Sequence, residues 1–166
     1  MGGIGGIVKV RIATLRELSI AGQRLVDVPT EFPDPTNSGF DSNQTAGNVG
    51  LPLLSRFRLI TDYPRDALWL LPDPKAIAKS FDRNRSGLMA EPHKSSLMVL
   101  LVAPGSPAER AGWKTGDEVV AINGQAIDAT YSGSALSHWA EQAAGTVVTL
   151  SKADHSKNRL TLADYF

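Results

Sequence analysis

The spacing of apolar and polar positions divides the chain into two stretches. Val8-Lys9-Val10-Arg11-Ile12 alternates apolar and basic residues. That two-residue period predicts a half-buried strand over residues 6–12. Two more short strands are expected at 15–20 and 25–28, joined by a turn at Ala21-Gly22-Gln23. Pro, Asn, Ser, Gly and Asp are dense from 29 to 47, which predicts a long loop. Residues 48–57 are apolar, and 58–62 with 67–71 read as a hairpin around Tyr63-Pro64-Arg65-Asp66.

The later stretch has a different rhythm. A short strand is expected at 88–91, and the continuous apolar run 96–102 predicts a strand buried on both faces. Residues 106–112 carry a Ser cap, a Pro in the first turn and a closing Gly, the signature of a compact helix. Residues 117–122 read as a strand closed by the Asn123-Gly124 turn. Leu136, Trp139, Ala140 and Ala143 form an apolar stripe that predicts an α-helix over 134–144, ended by Gly145. Strands at 146–150 and 159–162 pair through the polar turn 154–157. Trp113 and Trp139 are expected in the core and Trp69 packed in its hairpin.

Between the two stretches, Leu71-Pro72-Asp73-Pro74 interrupts the apolar pattern, and Asp82-Arg83-Asn84-Arg85-Ser86-Gly87 is polar. Such a break marks a domain boundary, giving modules at 1–80 and 81–166, with 79–83 a solvated linker.

Charge and composition narrow the function classes. Basic and acidic residues balance at 17 each, so the net charge is 17 − 17 = 0. A nucleic-acid or anionic-membrane partner calls for a basic surplus, and none is expected. No apolar run is long enough for a membrane-spanning helix. With no Cys, disulfides, thiol nucleophiles and thiolate metal sites are excluded. His93, His138 and His155 lack metal-ligand spacing, so no metal is expected. Gly3-Ile4-Gly5 has Val8 where a dinucleotide loop has its last Gly, and Lys114-Thr115-Gly116 lacks the Gly-rich loop of a phosphate cradle; no cofactor is expected. No Gly-x-Ser-x-Gly elbow occurs.

The segment Ala103-Pro104-Gly105-Ser106-Pro107-Ala108, then Ala111-Gly112, Gly116-Asp117 and Asn123-Gly124, resembles a PDZ domain of the circularly permuted bacterial type, covering about 86–166. The resemblance implies peptide binding beside an edge strand, with a loop whose amides receive a C-terminal carboxylate. Carried onto Arg85-Ser86-Gly87-Leu88-Met89, it assigns the amides of Gly87, Leu88 and Met89 to the carboxylate. Arg83 or Arg85 would add charge, and Ser134 and His138 would face the groove from the helix. Peptide or protein C-termini and unfolded segments are the partners implied, at micromolar-order affinity, since a few strand hydrogen bonds contribute roughly 0.5–1.5 kcal/mol each.

Ala46-Gly47-Asn48-Val49-Gly50-Leu51-Pro52-Leu53-Leu54-Ser55-Arg56-Phe57, followed by Ile60-Thr61-Asp62-Tyr63, is similar to the end of a retropepsin-like aspartyl protease domain. That resemblance covers roughly 3–72 and implies a short helix followed by a final hairpin. Aspartic catalysis needs two carboxylates sharing a proton, in Asp-Thr-Gly or Asp-Ser-Gly. Neither tripeptide occurs; Asp41-Ser42-Asn43 and Asn37-Ser38-Gly39 come nearest. The chain therefore reads as the C-terminal piece of a longer protease-like protein, inactive alone, with no catalytic residue of its own. Periplasmic or secreted placement follows if a signal peptide precedes it.

The expected architecture is mainly β with two or three short helices: part of a retropepsin-like barrel, then a permuted PDZ domain. The expected function is peptide recognition for an aspartic endopeptidase. Two alternatives stand beside it: a homodimeric protease using Asp41 and Asp62, and a PDZ groove that acts as an autoregulatory lid.

Overall fold

The computed structural model describes residues 2–3, 6–7, 10–33 and 47–166. They fall into two compact units, Met1–Phe81 with Phe166, and Asp82–Tyr165.

The first unit is a set of hairpins. β1 (Gly2–Gly3) pairs with β2 (Gly6–Ile7), and β3 (Val10–Ile20) with β4 (Gln23–Pro33), both antiparallel. The sequence predicts a strand over 6–12 and separate short ones after it. Instead residues 10–20 form one strand, and β4 runs on to Pro33, into the segment expected to be loop. Ala21 and Gly22 make the turn at φ 48 and 72, the left-handed pair that matches strand twist. Midway, Asp27 sits at φ 53 and the rung opposite Arg16 drops out. This break shifts the phase of alternation, so Leu25 and Val28, three apart, are both buried. Pro29 is tolerated because a two-stranded ladder is all edge.

α1 (Leu51–Leu54), with Pro52 in its first turn, leads into β5 (Phe57–Asp62) and β6 (Ala67–Pro72), joined by a 3-10 turn at Tyr63–Arg65. The hairpin lies where the pattern predicts it. α2 (Pro74–Ala78) is capped by Asp73, whose carboxylate accepts from Lys75 N at 2.8 Å and Ala76 N at 3.3 Å. Leu53 and Phe57 join Leu25 and Val28 in a small core. Arg56 is buried beside it at 6% exposure. Its guanidinium donates to the carbonyls of Ala76 (2.8 Å), Ser80 (3.2 Å) and Lys79, and stacks 3.7 Å from the Phe81 ring. The backbone of Lys79 and Ser80 and the ring of Phe81 are therefore fastened to the unit, while the residues at 79 and 80 stay exposed. Among the described residues no closed barrel forms: the strands of this unit make three separate two-stranded ladders. Trp69 is 59% exposed, not packed into its hairpin. Asn37, Ser38, Gly39, Asp41, Ser42 and Asn43 lie outside the described residues.

The second unit is a sheet around one core. Its strands are β7 (Leu88–Pro92), β8 (Leu97–Val102), β9 (Glu118–Ile122), β10 (Gln125–Ala126), β11 (Val147–Lys152) and β12 (Lys157–Thr161). The order is β12-β11-β9-β8-β7, with β10 beside β9, so β7 is an edge. Between β8 and β9, α3 (Pro107–Arg110) starts at Ser106, whose Oγ accepts from Glu109 N at 3.2 Å. Asn123 and Gly124, at φ 51 and 83, turn β9 into β10, and Asn123 Oδ1 accepts from Thr149 N at 2.8 Å. Val119, Ile122, Val148, Leu150 and Leu162 are fully buried, with Trp113 and Trp139 at 3% and 5% exposure.

Two expectations are corrected here. β8 is not buried on both faces: Leu100 and Leu101 are exposed, because β9 pairs only with the start of β8. The segment 134–144 is not an α-helix but a 3-10 helix, Ala135–Glu141, preceded by a 3-10 turn, Tyr131–Gly133. Ser134 Oγ bonds the Tyr131 carbonyl and Ser137 Oγ the Ser134 carbonyl, each at 2.8 Å. Hydroxyls that take backbone carbonyls at short range compete with α-helical bonding.

Candidate functional site

The site is a cavity of about 240 Å³ lined by Leu88, Met89 and Ala90 of β7 and by Ser137, Trp139, Ala140 and Glu141 of the 3-10 helix. Leu97 and Val119 of the sheet, Tyr131 and Asn84 complete its wall. A backbone bond from Arg85 N to Ala140 O (2.8 Å) ties the loop before β7 to that helix. Burial raises the pKa of the Tyr131 hydroxyl, although a hydrogen bond with Trp139 pulls the other way; it stays neutral at ordinary pH.

Residues i and i+3 eclipse in a 3-10 helix, which stacks Ser137 and Ala140. Ser134 and His138, spaced for an α-helix, are not among the lining residues. His138 is exposed, its Nδ1 2.7 Å from Glu141 Oε2.

The loop before β7 is internally bonded. Ser86 is fully buried. Gly87 is at φ 78, and a Cβ there would stand 2.1 Å from Ser106 Cβ, so only glycine fits. Asn84 Oδ1 accepts from Ser86 N (3.0 Å), Ser86 Oγ (2.7 Å) and Gly87 N (3.1 Å). Asn84 Nδ2 donates to Leu88 O at 2.7 Å. Leu88 N in turn donates to Ser86 Oγ at 3.0 Å. Three N–H or O–H donors converge on one atom of the carboxamide and a carbonyl faces the other, which fixes its orientation. Arg85 points elsewhere: its Nε meets Asp164 at 2.8 Å, and Nη1 donates to the carbonyls of Glu141 (3.0 Å) and Gln142 (3.3 Å).

Of the residues singled out in the sequence, Leu88 and Met89 line the cavity, and Arg85, Ser86 and Gly87 form the turn that leads to it. Asn84, Ser137, Trp139, Ala140 and Glu141 were not singled out as site residues. Asn84 had a signal: Asn followed at two and three residues by Ser86 and Gly87 is an Asx-turn pattern.

Residues 98–151 match the family profile of the PDZ domain. The second unit carries a PDZ domain. Its edge strand β7 and 3-10 helix flank the groove. A related protein is a putative serine protease HhoA of Synechocystis sp., 38% identical over 66 residues, which is 40% of this chain. The match spans only 16% of that protein. The likeness is thus to a PDZ domain and, more weakly, to a protein named as a serine protease; neither match supports an aspartyl protease parent.

Proposed function

We propose that the PDZ domain binds an extended peptide, which adds as a strand to β7 and places an apolar side chain in the cavity. The observation that carries this reading is the edge strand: among the described residues β7 pairs with β8 alone, and its other side borders the cavity opposite the 3-10 helix. An unpaired edge presents N–H and C=O groups at strand spacing, which an extended chain satisfies while its alternate side chains enter a pocket. Leu88, Leu97, Val119 and Trp139 make the pocket wall apolar. The module serves substrate or partner recognition for a peptidase. NMR titration of the full chain with peptide should move the resonances of Met89, Ala90, Ser137 and Ala140. Shifts confined to other surfaces would sink the reading.

A second reading concerns the class of that peptidase. The short helix α1 leading into a hairpin with Asp62-Tyr63 at its turn favours an aspartic parent. An intact parent that cleaves peptides at acid pH and is stopped by pepstatin supports it. A parent labelled by a serine-reactive fluorophosphonate replaces it with the chemistry named for the Synechocystis relative.

A further inference from the structure

Resting on the peptide-binding reading, we infer that the groove selects internal extended segments over free C-termini, and that Asn84 is the residue that sets this selectivity. Three observations converge. Two of the three amides that the resemblance assigns to a terminal carboxylate are taken: Gly87 N by Asn84 Oδ1, and Leu88 N by Ser86 Oγ. The Asn84 carboxamide stands as a built-in end to any added strand, its oxygen over the loop amides and its nitrogen on the first carbonyl of β7. A carboxylate entering there must displace a side chain that makes four hydrogen bonds. Arg85 is committed as well, because it is paired with Asp164 and bonded to two carbonyls.

The third observation is charge. Glu141 lines the cavity, as Asn84 does. A ligand carboxylate brought near it meets like charge in partly desolvated surroundings, where repulsion exceeds its value in water. A peptide that continues past the groove carries no such charge. It pairs along β7 below the carboxamide, and its backbone leaves the groove at the Asn84 end as an ordinary amide.

The test uses two pools of peptides with the same randomised design, one ending in a free carboxylate and one in a carboxamide. Each is titrated against the full chain and against Asn84→Ala and Asn84→Asp. The wild-type chain should hold the carboxamide pool at least as tightly as the free-acid pool. Asn84→Ala uncovers the loop donors and should gain about ten- to a hundredfold for the free acid alone, the worth of one charge-assisted hydrogen bond or two. Asn84→Asp keeps an acceptor over the amides and should keep the wild-type preference. If Asn84→Ala fails to fold, the wild type and Asn84→Asp still decide. A preference of the wild type for free acids, or for free acids in Asn84→Asp, overturns the inference while leaving peptide binding intact. Retention of neither pool by any variant overturns peptide binding itself.

Discussion

Two hairpins of similar length have opposite fates in this chain. In β11–β12, Val148, Leu150 and Leu160 are buried, and polar residues with Val147 take the other face. In β5–β6, Leu59, Ile60, Leu68 and Trp69 are all exposed, although Leu59 and Ile60 point to opposite faces of their strand. Pairing is equally regular in both. The difference is cover. β11 is flanked by β9 and faces a core built with Trp113, Trp139 and Tyr131, whereas β5–β6 is a ladder of two strands. Backbone register therefore sets where side chains point, and a second layer sets whether pointing there stabilises anything.

The largest expected effect separates the hairpins directly. Leu150→Ala should cost roughly 2–5 kcal/mol of unfolding free energy, by loss of transfer energy and a residual cavity. Leu68→Ala on the exposed hairpin should stay within about 0.5 kcal/mol. Urea denaturation followed at unit-specific NMR resonances measures both, and equal costs would break the comparison. Next comes Gly87→Ala, with a left-handed φ and a clash on Ser106. It should cost roughly 2–4 kcal/mol, summing backbone strain and overpacking, and should lower the thermal midpoint of the PDZ unit alone.

Legibility in the sequence follows the same division. Local chemistry was readable wherever one residue dictates one conformation: the Ser106 cap, the Asn123-Gly124 turn, the Tyr63–Arg65 turn. Residues 117–122 read as a strand because an apolar run there is closed by the Asn123-Gly124 turn, and 146–150 because a polar turn at 154–157 returns the chain to a second strand. What misled was pattern without neighbours. The apolar run at 97–102 suggests two buried faces, yet β9 leaves Leu100 and Leu101 uncovered. The stripe at 136–143 suggests an α-helix, because serine back-bonding is invisible to hydropathy. In the 3-10 helix it is Ser137 and Glu141 that line the cavity, where the resemblance implied Ser134 and His138. Asn84 was missed for a related reason: side-chain capture of amides is a property of short polar loops, not of the motif that follows them.

Smaller effects sharpen the picture. Arg56→Met leaves several carbonyls of residues 76–80 without their donor. It should cost about 1–3 kcal/mol, read as faster amide exchange in residues 53–80 with the PDZ unit unchanged. Spread of the effect into β8 or β11 would show that the units are energetically one. The smallest concerns Asp117. Burial alone would raise its pKa, but the hydrogen bond from Lys152 (2.7 Å), the Lys114 amide and both lysine charges outweigh it and hold the carboxyl below the usual range. Because the folded value is depressed, the stabilisation is present above the unfolded-state pKa and is lost as pH falls through the folded one. Asp117→Asn should therefore flatten the acid limb of PDZ stability by under about 1 kcal/mol and leave neutral pH behaviour of the first unit untouched.

The distribution of tryptophan also makes the molecule its own optical probe. Trp69 stands in water at 59% exposure in the first unit, while Trp113 and Trp139 are enclosed in the second, Trp139 in the wall of the groove. Indole emission moves to longer wavelength in polar surroundings. Red and blue edges of one spectrum therefore follow the two units separately, and a change on the blue edge alone signals that the groove has filled.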